Sequence, residues 1–378
     1  MHPTRRLLLA LALISAAPMA RAALPLDTIQ LKPGFRIELV TDRVPNAREM
    51  ALGPTVDGRT TLFVGSQRAG NVYAVALDAG HATDVRVIAS GLQMPVGVAY
   101  RQGSLYVSAV SRILRIDQVD GDLGKLPPAT LVTDRFPTET HHGWKFIAFG
   151  PDGDLYVPVG APCNICVRDE DRYYNIQKIK ADGSAQTVVA KGVRNTVGFD
   201  WNPVDGSLWF TDNGRDLLGD DIPSDELNHV PAQAKTPPHF GFPYCHQGDL
   251  PDPEFGQQKP CSQFTSPVAK LGAHVAAIGM RFYAPPAAAP ETFPKTYRGG
   301  VFIAEHGSWN RTRKSGYRVM HVPIDGAKAG SQEVFAEGWL RDDESVWGRP
   351  ADVLPMSDGS LLVSDDLAGA IYRIRYAP

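Results

Sequence analysis

GPDGDLYVPVG, residues 150–160, puts an Asp-Gly turn directly before a run of strand-forming residues, and NPVDGSLWFTDNG at 202–214 repeats the arrangement. Working outward, the same unit recurs: a turn with Asp-Gly or Gly, an apolar run, a short polar gap, then a second run. It appears as TVDGRTTLFVGSQRAGNVYAV at 55–75 and RQGSLYVSAVSRILRI at 101–116. YRGGVFIAEHGSWN begins a further copy at 297, and MSDGSLLVSDDLAGAIYRIR closes the chain from 356. The alternation is that of half-buried strands, and the glycines suit hairpin turns.

With Leu62, Leu105, Leu155, Leu208, Val301 and Leu361 taken as equivalent, the steps are 43, 50, 53, 93 and 60 residues. A period of about 40–50 residues is that of a four-stranded propeller blade. Six copies predict an all-β, six-bladed β-propeller of four-stranded antiparallel blades, built as one domain over 23–378. The step of 93 leaves room for an insertion around 231–267, which is rich in proline and carries two cysteines.

The chain has 378 residues, with 36 Gly, 31 Pro and 21% charged residues, a balance that suits many short strands joined by turns. Residues 1–22 read as an export signal: Arg5 and Arg6, an apolar run from Leu7 to Ala17, and Ala20-Arg21-Ala22 as a cleavage site. The Thr4-Arg5-Arg6 start also resembles a twin-arginine signal. Removing this segment takes three Arg and no acid, so 38 basic residues fall to 35 against 41 acidic ones. That balance and the lack of a basic run argue against nucleic acid. Export to the periplasm or beyond favours disulfides among the four cysteines. The local pairs Cys163–Cys166 and Cys245–Cys261 are the expected ones, with a redox or zinc-binding CxxC as the alternative for the first.

A propeller gathers loops from every blade at one end of its channel. His142, Arg194, the acids between Asp212 and Glu226, Glu305, His306 and Arg349 are therefore candidates for a single site. A histidine suits general-base work and an arginine suits a carboxylate. A crowd of carboxylates suits calcium. Trp309 and Trp347 are candidates to stack on a flat ligand or a sugar face.

At these residues the chain resembles the soluble pyrroloquinoline quinone (PQQ) sugar dehydrogenases, nearest the sorbosone and aldose dehydrogenase branch, from about Leu31 to the end. The resemblance implies His142 as catalytic base. It implies Arg194 and Asn195, in GVRNTVGF, as contacts for the quinone carboxylates, with Gln93 and Arg349 as further cofactor contacts. It implies Gly214 and Arg215 as carbonyl ligands of a calcium ion, joined by Asp225 and Glu226. Ala351 stands where the family often has a second arginine. A blade-five lysine has no direct counterpart; Arg311, Arg313 and Lys314 lie nearby, and Arg311 is taken for the role. The implied activity is oxidation of an aldose sugar or a sorbosone-like aldehyde, with electrons passed to a separate periplasmic acceptor. A calcium-dependent lactone hydrolase and a non-catalytic sugar- or protein-binding propeller are the rival readings.

Overall fold

The computed structural model describes residues 23–378, so the expected export signal lies outside the described residues. Six of the eight sheets among the described residues are antiparallel blades around one axis, and Gln30–Leu31 adds a fifth strand beside Glu333–Glu337 of blade five. Blade one runs Ala47–Val56, Arg59–Ser66, Val72–Asp78, His81–Ala89, and blade two Val98–Arg101, Ser104–Ala109, Arg112–Ile116, Thr130–Thr133. Blade three is Ala148–Phe149, Leu155–Val159, Asn175–Ile179, Thr187–Lys191. Blade four is Phe199–Trp201, Leu208–Asp212, Ser224–Val230, Ala269–Ala273, and blade five Ala277–Phe282, Val301–Glu305, Arg318–Val322, Glu333–Glu337. Blade six takes Pro350–Pro355, Leu361–Asp365 and Ala370–Tyr376 from the end of the chain. Its fourth strand, Phe35–Thr41, comes from the beginning, pairing Phe35 with Tyr376 through Thr41 with Ile371. The ring is therefore closed by ladder hydrogen bonds between the two ends of the described chain.

All six anchor residues chosen from the repeat fall in the second strand of their blades, and all are buried. The expected insertion lies between the third and fourth strands of blade four and carries the Cys245–Cys261 bridge. Among the described residues there is no α-helix, only three short 3-10 turns, and no helix is long and apolar enough to cross a membrane.

Between blades the packing is apolar. Trp209 of blade four meets Met280 and Phe282 of blade five, and Phe302 and Phe335 of blade five share a cluster with Val363 and Tyr372 of blade six. Nearer the axis, polar groups do the joining. Glu49 of blade one accepts from the backbone N–H of Val98 at 3.2 Å and of Ile147 at 3.0 Å. Asp352 of blade six accepts from Met50 at 2.9 Å, and Asp200 of blade four from Phe282 at 2.9 Å. Arg281 sits 3.4 Å from Asp352 and 3.9 Å from Glu49, offsetting the buried charge. Each carboxylate thus satisfies backbone donors that an inner strand otherwise leaves unpaired. Gly198 lets blade four approach this close, because a Cβ there would collide with the Ile278 carbonyl of blade five.

Candidate active site

The first strand of a blade starts, and its second strand ends, at the same face of the ring. Residues just after the second strands are Gln67, Gly160, Asn213, His306 and Asp366; the approaches to the first strands carry His142–Trp144, Arg194–Val197, His274–Ala276 and Arg349. They surround a cleft of about 330 Å³, lined by Arg48, Arg68, His142, Arg194, Asn195 and Arg349 together with Asp216, Asp225 and His306. Its floor includes Trp144, Val197 and Ile278, with Ala351 in the same apolar cluster.

His142 is buried, in a turn with a φ of 49°, and Gly160 makes room for it: a Cβ at Gly160 would stand 2.5 Å from the His142 Cβ. Its Nδ1 lies 2.9 Å from the Ala161 carbonyl, which can only accept. The proton therefore sits on Nδ1, and Nε2 keeps its lone pair. Burial, then the nearby Arg194 and His141, hold its pKa well below the ordinary value, so the ring is neutral at neutral pH. His141 is exposed and does not line the cleft. Both histidines are in a turn, so their different directions come from the turn and not from strand alternation.

Arg194 is buried. Its Nε donates to the Asn164 carbonyl at 2.9 Å, Nη1 to the Asn213 carbonyl at 3.1 Å, and Nη2 to Asn164 Oδ1 at 2.9 Å and Asp216 Oδ2 at 3.2 Å. Asp212 fixes the backbone beneath, accepting from the N–H of Arg194 at 2.8 Å and of Asn195 at 2.6 Å. The Asn195 side-chain amide lines the cleft with no hydrogen-bond partner among the described residues. Arg349 donates to the His306 and Gly307 carbonyls at 2.9 and 2.7 Å. Arg48 and His306 both pair with Asp366, at 2.9 and 2.8 Å.

The four expected metal residues divide. Gly214 lines the cleft, and Asp225 joins it there, bonded to the N–H groups of Gly214 at 2.9 Å and Ala277 at 3.2 Å. Burial pushes Asp225 up to about 6. Glu226 does not reach the cleft, because adjacent strand residues point to opposite faces. It accepts from the Gln247 N–H at 2.6 Å and from Asn228 at 2.9 Å, and burial followed by repulsion from Asp212 pushes it up to about 8. The Arg215 side chain turns into the insertion, 2.6 Å from Asp252. Among the described residues no three His, Cys, Asp or Glu side chains are grouped to hold a metal. The Gly214 and Arg215 carbonyls, however, accept no hydrogen bond from any described residue, which leaves these hard oxygens open to a cation.

Two expected cofactor contacts lie elsewhere. Gln93 is exposed in the bend that precedes Met94, and Gln67 is the glutamine at the cleft. Arg311 is turned away, donating to the Asp220 carbonyl and the Asp221 carboxylate at 2.9 and 2.8 Å. Trp347 packs on Trp339 and donates to the Gly338 carbonyl at 2.7 Å, whereas Trp309 is 72% exposed on the rim. Glu305 is buried against Arg318 at 2.6 Å. Sequence reading missed Gln67, Arg48, Asn164 and Asp366. A signal for two of them was present: Gln67 and Asp366 occupy the register of Asn213 and His306, one residue beyond a second strand.

The TrAA12-like family model matches residues 29–377. The chain belongs to that family. A relative in Borreliella burgdorferi, itself uncharacterized, is 32% identical over 363 residues, covering 93% of this chain and 91% of the relative. The pyranose dehydrogenase PQQ domain of Coprinopsis cinerea, solved in its holo form, superposes with a TM-score of 0.76 at 18% identity, over 92% of this chain and 97% of that one. The Trichoderma reesei family AA12 protein, in its calcium structure, also gives 0.76 at 18% identity, over 95% and 99%. At such identities the solved structures bear on the fold, and the fold agrees: a six-bladed propeller.

Proposed function

We propose that this protein is a PQQ- and calcium-dependent oxidoreductase that oxidises an aldose sugar or a sorbosone-like sugar aldehyde, with His142 as general base. The observation that carries the reading is the His142 ring, neutral and bonded through Nδ1, with Nε2 left as a free base in a cleft ringed by arginines. The cleft fits a flat polyanion. Four arginines face Asp216 and Asp225, the floor is apolar, and the size is within the range of small-ligand sites. In this reading Arg194, Asn195 and Arg349 would meet the quinone carboxylates, and the Gly214 and Arg215 carbonyls with Asp225 would hold the calcium ion. When bound, the quinone supplies a two-electron oxidant and the calcium ion a Lewis acid.

The residues of the chain handle the proton. His142 Nε2 accepts it from the substrate hydroxyl, and the Ala161 carbonyl stabilises the resulting imidazolium through Nδ1–H. Arg194 makes that charge costly, so the proton is held briefly and returned to water. The rim Trp309 offers an apolar face to a sugar ring. Calcium binding, export through residues 1–22 and a separate electron acceptor complete the proposal.

The test is to add PQQ and calcium to the purified chain, titrate binding, and screen aldoses, sorbosone and simple lactones with a redox dye and a hydrolysis assay. Saturable quinone binding with sugar-dependent dye reduction supports the reading. Lactone hydrolysis without the quinone, or sugar binding without turnover, overturns it.

A further inference from the structure

Blade three's cleft-side loop, between Val159 and Asn175, contains Cys163-Asn164-Ile165-Cys166 closed by a disulfide. Asn164 is not among the cleft-lining residues, yet its described side-chain bonds go to residues that are. Its main-chain carbonyl and its Oδ1 each accept from Arg194, both at 2.9 Å. The same Oδ1 accepts from the Asp216 N–H at 2.8 Å, and Nδ2 donates to the Asp216 carbonyl at 3.0 Å. One edge of the guanidinium is thereby clamped by two oxygens of one residue. Asp216, held by the same residue, spans from Arg194 Nη2 at 3.2 Å to Asn310 at 3.1 Å on the blade-five loop.

The bridge itself closes a sequence separation of only 3, against 16 for Cys245–Cys261. A loop that short removes little freedom from the unfolded chain, so its effect falls on the loop it closes and on what that loop holds. Arginine loses much side-chain freedom when it is fixed on a ligand, and fixing it beforehand strengthens binding.

We propose that Asn164, held in the disulfide-closed loop, is a positioning residue that pre-orients Arg194, with Asp216 fixed beside it as its partner, for an anionic ligand in the cleft. The inference rests on the quinone reading for the identity of that ligand, but its geometry stands without it. The experiment compares wild type, Asn164→Ala, Asn164→Asp, the Cys163→Ser/Cys166→Ser pair, and the triple variant. Three quantities are measured: PQQ affinity with calcium present, hydrogen exchange of peptides 192–197 and 212–217 in the ligand-free protein, and melting temperature.

Asn164→Ala and the cysteine pair should each weaken PQQ by roughly 10-fold and speed exchange in both peptides, with melting nearly unchanged. The triple variant should loosen both peptides at least as much as Asn164→Ala, because the bridge also holds the Asn164 main-chain carbonyl that accepts from Arg194 Nε. Asn164→Asp keeps both oxygen acceptors and should restore protection of 192–197, although its charge opposes an anionic ligand. Unchanged exchange and affinity in Asn164→Ala would overturn the proposal, as would a fall in melting temperature that accounts for the loosening. If wild type binds no PQQ, the quinone reading fails, and the exchange data alone decide whether Asn164 positions Arg194.

Discussion

The two ends of the ring use the same side chain for opposite purposes. At the hairpin end, Asp182, Asp205 and Asp358 each fold back on a serine two residues on, accepting from its N–H at 2.9 Å and its hydroxyl at 2.6 Å. The serine hydroxyls hold Asp182 and Asp205 below the usual carboxylate range. At the cleft end, Asp212, Asp225 and Glu226 are buried, and burial pushes them up to about 7, 6 and 8. Glu305, also buried there, is pushed up to about 7. The named hairpin carboxylates close their own turns with a serine, while the cleft-end carboxylates are buried deeply enough that their charge stays costly even with the backbone donors, and for Glu305 the Arg318 guanidinium, that meet them. The difference teaches that a carboxylate's role here follows from which end of the strand it leaves.

The largest effect expected from breaking this contrast is at His142. His142→Ala removes the Nε2 acceptor and leaves Arg194 and Asn195 in place, so turnover should fall roughly 100-fold or more with PQQ affinity little changed. His141→Ala, at an exposed ring outside the cleft, should cost far less. The acid limb of the rate profile should lie well below pH 6.5, because burial, Arg194 and His141 all depress the His142 pKa. Near-normal single-turnover rates in quinone-loaded His142→Ala would remove the histidine from the mechanism.

Next comes Asp212. As Asp212→Asn it has one carbonyl oxygen where two carboxylate oxygens now receive the backbone N–H groups of Arg194 and Asn195. Roughly 10-fold weaker PQQ binding is expected, measured by titration. Unchanged binding would mean that this backbone holds its shape without the carboxylate.

Removing a cation should give a thermal effect rather than a change in affinity. Chelator should lower the melting temperature and calcium restore it, since an ion present at 100 times its Kd and bound only to the folded state contributes about 2.7 kcal/mol. A melting curve unmoved after verified metal removal counts against the carbonyl site at Gly214 and Arg215.

How much of this was legible in the sequence follows the same division. The blade count, the second strands and both disulfides were readable because Asp-Gly turns, strand alternation and short cysteine spacings are local. His142, Arg194 and Arg349 came to notice as loop residues expected to converge at one end of a propeller, and Asn195 and the roles of all four came from the family resemblance. The partners that govern them are far away in sequence: Asn164 is 30 residues from Arg194, and Asp366 is 60 from His306. Glu226 was misplaced for a local reason, since adjacency to Asp225 in the sequence puts it on the other face of the strand. Gln93 was misplaced by a resemblance whose spacing did not match, when the blade register points to Gln67.

The smallest expected effect is the control at the hairpin end, Asp205→Ala. It removes two hydrogen bonds to Ser207 near the surface, so the loss should be about 0.5–1 kcal/mol, with PQQ affinity and turnover untouched. Its pH dependence has a definite sign. The folded pKa of Asp205 is lowered, chiefly by the Ser207 hydroxyl, so its stabilisation is present above the unfolded value of about 3.9 and is lost as pH falls through the folded one. The gap in stability between wild type and Asp205→Ala should thus be full at neutral pH and close in acid. Asp212 and Glu226 are raised by burial, so their stabilisation runs the other way: the fold gains from their protonation as pH drops from about 8 toward 4. Denaturant titrations at several pH values separate the two. A gap for Asp205→Ala that widened in acid would show that its turn carboxylate behaves like those of the cleft, and the contrast between the two ends would fail.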